Sequence, residues 1–577
     1  MEESMGEKLV IVGGVAGGAT AAARARRLSE EAEITLVERG PYVSFANCGL
    51  PYYISGAIAK RSKLLLQTPE GFDARYGVKV LVDTEAVEID RQGKRLRVRG
   101  PEGESWLPYD RLVLAQGGNP VMPPLPGLDS PNVFKLWTVP DVDRIKAYID
   151  SAKPASALIA GGGFIGLEMA EAFTERGIPT TVVELLPRIM STMDPEFGAM
   201  VARKLEEKGV RVLTGLGLKA IRGSEGKAEL SDGSLVDAGV VLLSIGVRPE
   251  LGLAKAAGLA MGATGGLEVD DELKTSDPAI WAAGDMVEIV HKVSGRKVRI
   301  PLAGPANRQG RIAASNALGM HMKYHGALGT SVFKAFDAVA ASTGLSEKAA
   351  REAGFDVGAA VVVKDNHAGY YPGGQEMTLK LVYDRKDGRL LGAQAFGGEG
   401  TEKRIDVVAT ALQGRLSLDD LAELDLAYAP PFSSANDPVN LAAFIGQNDL
   451  SGYAPLETAA GLKAAIAAGN GEGIAAAGGA GAGSAGGSAE APFILDVRNR
   501  GEFEEGHLKG AHNVPVDELR FSLDEVPRDR RIHVHCRSGF RSHLALRILK
   551  GKGYKDVVNV TGGWLGIVAE GGFDIES

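Results

Sequence analysis

The chain has 577 residues, with 64 Lys and Arg against 73 Asp and Glu, a formal charge of −9, which excludes the broadly basic footprint of a nonspecific nucleic-acid binder. Hydrophobic residues at 45% and charged residues at 24% suit several globular domains rather than a disordered chain. Two cysteines exclude a disulfide framework and a multi-cysteine metal site, and no run approaches the length of a membrane span. The acidic start Met1-Glu2-Glu3-Ser4 leads straight into a strand and does not read as a signal peptide. The expectation is a cytoplasmic protein with no metal, no membrane segment and no nucleic-acid partner.

Short apolar runs alternate with helical stretches through the first 330 residues, the pattern of parallel βαβ units. Lys8 to Val12 predicts a buried strand; Gly13-Gly14-Val15-Ala16-Gly17-Gly18 follows, then an Ala-rich helix to Leu28 and a strand Ile34–Val37 ending at Glu38. Gly13, Gly14 and Gly18 form a dinucleotide loop in which Val15 replaces the middle glycine, with Glu38 placed for the ribose hydroxyls. Arg24 and Arg27, three residues apart on the helix, share a face. Next comes Ser44-Phe45-Ala46-Asn47-Cys48-Gly49-Leu50-Pro51-Tyr52-Tyr53, whose Cys48 is the single cysteine before residue 536. A thiol without a resolving partner must work through a mixed disulfide with its substrate or as a sulfenic acid. Lys60, Arg61, Lys63 and Arg75 add positive charge after it.

The same order of events recurs at Ala157–Ala160, Gly161-Gly162-Gly163-Phe164-Ile165-Gly166, a helix, and Thr181–Val183 ending at Glu184. Here Gly161, Gly163 and Gly166 satisfy G-x-G-x-x-G in full, and Glu184 takes the ribose position. A carboxylate there repels a 2′-phosphate, so NADH is expected over NADPH. Tyr109 to Gly118, with Gly117 near its end, and Thr275 to Asp285, ending Ala-Gly-Asp, complete the first unit.

Two dinucleotide loops, these two segments and the cysteine together resemble the pyridine nucleotide–disulfide oxidoreductases over residues 1 to about 450. The resemblance implies FAD on the first loop, with Asp285 beside it, and NADH or NADPH on the second, stacked near Phe164. The run around Cys48 looks like that of coenzyme A-disulfide reductases and persulfide reductases. It implies a coenzyme A site at Thr20, Arg24, Arg27, Ser44, Asn47, Arg75, Asn307 and Asn436. It also implies an α+β interface domain over about 331–445 and a homodimer in which Tyr370 and Tyr428 of one subunit assist Cys48 of the other. Tyr371 stands as an alternative for the first tyrosine. Peroxide- and oxygen-reducing relatives carry a His in the first loop where this sequence has Ala16; an oxidase or peroxidase cycling Cys48 sulfenic acid stays open as a second reading.

From Ala459 to Ala491, 24 of 33 residues are Ala or Gly, which predicts a linker apart from a short helix at Leu462–Ala468. Beyond it, Ile494-Leu495-Asp496-Val497-Arg498, Gly506-His507 and Cys536-Arg537-Ser538-Gly539-Phe540-Arg541 resemble a rhodanese domain. Backbone N–H groups of such a loop curl around the sulfur, and Arg537 and Arg541 add charge that stabilises a persulfide. A sulfur carrier or sensor with its output at Cys536 is a third reading. The expected architecture is α/β throughout: an FAD domain over 1–118 and 248–328, an NAD(P)H domain over 119–247, a dimerisation domain over 329–450, a linker over 451–491 and a rhodanese domain over 492–577.

Overall fold

The computed structural model describes residues 6–469 and 492–577. It divides into two compact units, one of residues 1–190 and 205–331, the other of 191–204 and 332–577.

The first unit holds two parallel five-stranded sheets. In the first, the strand order is Ile280–Ala282, Arg111–Leu114, Lys8–Val12, Glu33–Val37 and Lys79–Leu81. Its central strand is buried on both faces from Leu9 to Val12, as a parallel sheet covered by helices requires. The edge strand Ile280–Ala282 pairs in parallel with Arg111–Leu114, so this domain is closed by chain that returns after the second sheet. The helix Ala16–Leu28 buries Ala21, Ala22 and Ala25, small residues that let it lie close to the sheet. The second sheet runs Arg211–Thr214, Thr180–Glu184, Ala157–Ala160, Val240–Leu243 and Val133–Phe134. Both loops of interest leave the carboxyl end of a central strand, where ligands bind in open α/β sheets.

The second unit contains an antiparallel sheet in the order Ser331–Ala335, Ala338–Gly344, Leu390–Gly397, Glu376–Asp384 and Val357–Asp365. The last two strands form a hairpin paired from Val357↔Asp384 to Asp365↔Glu376. Fully buried Lys380, on that hairpin, reaches Asp194 at 2.9 Å, Glu196 at 2.6 Å and Glu347 at 2.8 Å, fixing residues 191–204 to the sheet. A further parallel sheet runs Leu456–Glu457, Val557–Val560, Ile532–His535, Phe493–Asp496 and His512–Asn513.

The linker expected from 451 is corrected here. Leu456–Glu457 is the edge strand of this last sheet, and Ala459–Gly469 is a helix, longer than the short one expected. Leu462 of that helix is fully buried in one cluster with Ile567 and Val560. The rest of the expected linker, 470–491, lies outside the described residues. Among the described residues no helix is long and apolar enough to cross a membrane.

Candidate active sites

The two dinucleotide loops repeat one local construction. Gly13 and Gly161 open them with φ of +99° and +111°, a region side chains disfavour. A Cβ on Gly18 would collide with the Gly13 carbonyl, and one on Gly166 with the Gly161 carbonyl, so the third glycine of each motif allows close helix–strand packing. The middle position caps the helix: Gly163 has φ −90° and open space around it, while Val15 has φ −102°. A negative φ at this position explains why the first loop accepts valine.

The acid that ends the following strand is also used alike. Glu38 accepts N–H bonds from Gly14 at 2.7 Å and Gly40 at 2.8 Å; Glu184 accepts from Gly162 at 2.7 Å and Leu186 at 2.8 Å. Each carboxylate thus braces its own glycine loop, a use that the spacing alone did not reveal. An ionised carboxylate has about four acceptor positions, which leaves lone pairs for a ribose. Gly117, at φ +68°, accepts the Glu250 N–H at 2.9 Å from its carbonyl.

Cys48 lies in a 3₁₀ turn, Asn47–Gly49, directly before the helix Leu50–Ser55. Its N–H donates to Asn47 Oδ1 at 3.1 Å. Burial pushes the Cys48 thiol up, reinforced by the nearby carboxylates Glu168 and Asp285. Burial also raises Glu168 to about 7 and Asp285 to about 6. Tyr52, one turn beyond Cys48, donates its hydroxyl to Glu168 at 3.4 Å, and burial and Glu168 push it up to about 12. Sequence reasoning missed Glu168 and Tyr52. The signal available was Glu168 two residues past Gly166, within the first turns of the loop's own helix.

Of the residues implied for coenzyme A, several converge. Thr20 donates its hydroxyl to Asn307 Oδ1 at 2.9 Å, bringing together the first helix and the helix Ala303–Ala317. One turn along, Arg24 donates to Ser315 Oγ at 3.0 Å. Partial desolvation and the neighbouring cations Arg311 and Arg27 hold the Arg24 guanidinium below its ordinary value. Ser44 adopts φ +48° and donates its N–H to the Gly14 carbonyl at 2.7 Å, which fastens the cysteine segment to the first glycine loop. Arg27, Arg75 and Asn436 are exposed. Arg61 is committed elsewhere, gripping Asp143 through two nitrogens at 2.7 and 2.6 Å and donating to Tyr42.

In the second unit the hydroxyls of Tyr370 and Tyr428 meet at 2.9 Å. Tyr371 instead sets its ring edge-on to His367, centroids 5.5 Å apart. What joins the two tyrosine segments is Arg404, fully buried, which donates to the Asn366 carbonyl at 2.9 Å, to Ser433 Oγ at 3.2 Å and to Asp437 at 2.9 Å.

The Cys536 sulfur, buried, accepts the Gly539 N–H at 3.2 Å and the Ser542 hydroxyl at 3.4 Å. Gly539 makes this bond at φ +115°. The two arginines expected to add positive charge here are each also paired with a carboxylate. Arg541 forks onto Glu502 at 2.6 and 2.7 Å, and Arg537 meets Glu376 at 2.7 Å.

Two nucleotide loops on parallel sheets, a lone cysteine behind the first, and an antiparallel sheet further along define a flavin-type disulfide oxidoreductase with a further α/β module carrying the second cysteine. The chain belongs to the pyridine nucleotide-disulphide oxidoreductase family, whose profile matches residues 7–310; the family's dimerisation domain matches 330–438 and a rhodanese-like domain 484–570. The Bacillus anthracis CoADR-RHD structure is 41% identical, covers 98% of each chain and superposes with a TM-score of 0.91. An NAD-dependent persulfide reductase from A. fulgidus is 36% identical, over 97% of this chain and 99% of that one, with a TM-score of 0.86. The NAD(P)H coenzyme A polysulfide/persulfide reductase of Pyrococcus horikoshii is 36% identical over 441 residues, 76% of this chain and 98% of that one.

The protein is an oxidoreductase, and its family works with FAD and NAD(P)H. The residues present fit both. Half-buried Asp285 lies beyond the first loop's sheet with its carboxyl raised, and the buried Gln116 Oε1 beside Gly117 has no hydrogen-bond partner. At the second loop, the open space around Gly163 is what close approach of a pyrophosphate needs.

Proposed function

We propose that this protein is an NAD(P)H-dependent reductase of coenzyme A disulfide, persulfide or polysulfide, with Cys48 as the nucleophile and Cys536 as a carrier of sulfane sulfur. The observation that carries this reading is the division of thiols: one cysteine in the oxidoreductase portion, where its N–H donates to Asn47 Oδ1, and one in the rhodanese loop, where its sulfur accepts the Gly539 N–H. FAD would sit on Gly13, Gly14, Gly18, Glu38, Gly117 and Asp285, and NAD(P)H on Gly161, Gly163, Phe164, Gly166 and Glu184. Bound FAD supplies the electron pair, drawn from NAD(P)H, that returns oxidised Cys48 to thiol.

Cys48 as thiolate attacks one sulfur of a coenzyme A disulfide, forming a Cys48–S–S–coenzyme A bond as the original S–S bond breaks and a thiolate leaves. With coenzyme A persulfide the attack falls on the inner sulfur and hydrosulfide leaves. Thr20, Arg24, Arg27, Ser44, Asn47, Arg75 and Asn307 line the approach on one subunit, and Asn436 adds to it. Tyr370 and Tyr428, contributed by the other subunit of a homodimer, donate a hydrogen bond to the departing sulfur. At Cys536, the thiolate attacks the outer sulfur of a donor, the donor's S–S bond breaks with its thiolate leaving, and the sulfur is held as a persulfide against the Gly539 N–H. The fusion favours persulfide over plain disulfide as the substrate.

Turnover of NADH and NADPH is measured with coenzyme A persulfide, coenzyme A disulfide, peroxide and oxygen. The expected result is turnover with the coenzyme A substrates, NADH above NADPH in kcat/KM, and loss of all substrate turnover in Cys48→Ser with reduction of its flavin by NADH retained. Faster turnover with peroxide or oxygen would make it an oxidase; negligible turnover with every substrate, beside intact sulfur transfer by Cys536, would make it a carrier.

A further inference from the structure

We propose that Glu376 sets the donor specificity of the Cys536 loop, turning it away from small dianions and toward organic hydropersulfides. The inference rests on the assignment of Cys536 as a sulfur carrier and deepens it. Its basis is a charge count around the loop. The loop brings two guanidinium groups to a sulfur that accepts the Gly539 N–H and the Ser542 hydroxyl and is also reached by Arg541. Both guanidiniums are matched by carboxylates, so a thiosulfate dianion arriving at the mouth finds no uncompensated cation.

The two pairs differ in origin. Arg541–Glu502 lies inside the rhodanese domain, and Glu502 is further locked by a capping box with Asn499. Glu376 comes from outside it: it opens the strand Glu376–Asp384 of the antiparallel sheet and meets Arg537, the residue next to the sulfur, at 2.7 Å. Thr561, in the loop that backs the cysteine, ties the same hairpin by accepting the Val361 N–H at 2.9 Å; the next residues pack so closely that Trp564 donates its N–H to the Cys536 carbonyl at 2.7 Å. The dimerisation sheet thus neutralises a charge that a free-standing rhodanese domain would leave open. Both partners are about half exposed, so the pair stands at the mouth, where an incoming anion competes for Arg537. Phe540, 71% exposed in the same loop, offers an apolar surface to the carbon arm of a thiol.

A hydropersulfide R–S–SH meets these conditions. Cys536 thiolate attacks its outer sulfur, the donor S–S bond breaks, R–SH leaves with the proton, and Cys536–S–S⁻ remains. Thiosulfate delivers the same sulfur with sulfite as the leaving group, but must bring two negative charges to a neutralised mouth.

The test uses the full-length flavoprotein, with cyanide as sulfur acceptor and thiosulfate or glutathione persulfide as donor. Glu376→Gln frees Arg537 and should lower KM for thiosulfate about five-fold, with the persulfide KM moving less than two-fold. Glu376→Asp should restore the discrimination, and Glu376→Gln combined with Arg537→Gln should lose the gain. A thiosulfate KM unchanged by Glu376→Gln, or an equal fall for both donors, would overturn the proposal while leaving Cys536 as carrier. Sulfur transfer that survives Cys536→Ser would instead bring down the underlying assignment.

Discussion

At Cys48 a nucleophile is surrounded by groups that disfavour its charged form. Burial, Glu168 and Asp285 all push the thiol up, which favours its protonated form. Glu168 itself sits near 7, which makes its charge, and with it the field at Cys48, sensitive to neutral pH. Reactivity of Cys48 requires deprotonation, so the rate of its reaction rises with pH through its own pKa. Glu168→Gln removes one of the two opposing carboxylates and leaves burial in place. The midpoint for Cys48 alkylation by iodoacetamide should therefore move to lower pH. A midpoint that stays put or rises would mean that Glu168 does not act on the thiol. The cysteine was legible from the sequence because it is alone in its portion of the chain and lies in a recognisable run. Glu168 was not, since its effect arises only when a second loop's helix is brought beside the first.

At the scale of elements, strands buried on both faces were the most legible: Lys8–Val12 and Ala157–Ala160 have the bounds that their apolar runs imply. The two-residue strand Leu456–Glu457 has no period to read, and an Ala-rich stretch suits a helix as well as a tether, so the front of the linker escaped detection. Long-range ion pairs are equally invisible: nothing in the spacing of Arg404 and Asp437 announces that one guanidinium ties the hairpin loop to the Tyr428 segment. That pair is nearly free of solvent. Removing one partner leaves a buried charge unmatched, so Arg404→Met should cost about 3–5 kcal/mol of stability in denaturant unfolding. It should also release Tyr370 from Tyr428, seen as a larger fall in kcat with coenzyme A disulfide than in KM. Full retention of both stability and kcat would show that the tyrosine segments hold together without it. The same reasoning applies to the carboxylates beside the Cys536 loop: the arginines were legible, but Glu376 and Glu502 stand 161 and 39 residues away from them.

For the whole molecule, the exposed aromatic surface of the dimerisation region bears on how the active site is completed. Tyr370 at 76%, Tyr428 at 47% and Phe432 at 70% exposure belong to one patch, joined by the Tyr370–Tyr428 contact, the Ala368 N–H to the Pro430 carbonyl and the Phe432 N–H to the Ala429 carbonyl. Contiguous apolar patches on a single chain mark surfaces that a partner covers, and a dimerisation domain spans 330–438. If the tyrosines serve Cys48 across a twofold axis, each subunit supplies the nucleophile for one site and the hydrogen-bond donors for the other. A Cys48→Ser subunit then keeps useful tyrosines, and a Tyr370→Phe/Tyr428→Phe subunit keeps a useful cysteine. Each homodimer has two defective sites. Their heterodimer has one site with both lesions and one with wild-type Cys48 facing wild-type tyrosines. Refolding or co-expressing differently tagged subunits and isolating the mixed dimer should therefore return about half the wild-type turnover with coenzyme A disulfide, because one of two isologous sites is whole. A mixed dimer, confirmed by mass, that is no more active than its parents would place the tyrosines in the same subunit as the cysteine they serve, or outside the reaction altogether.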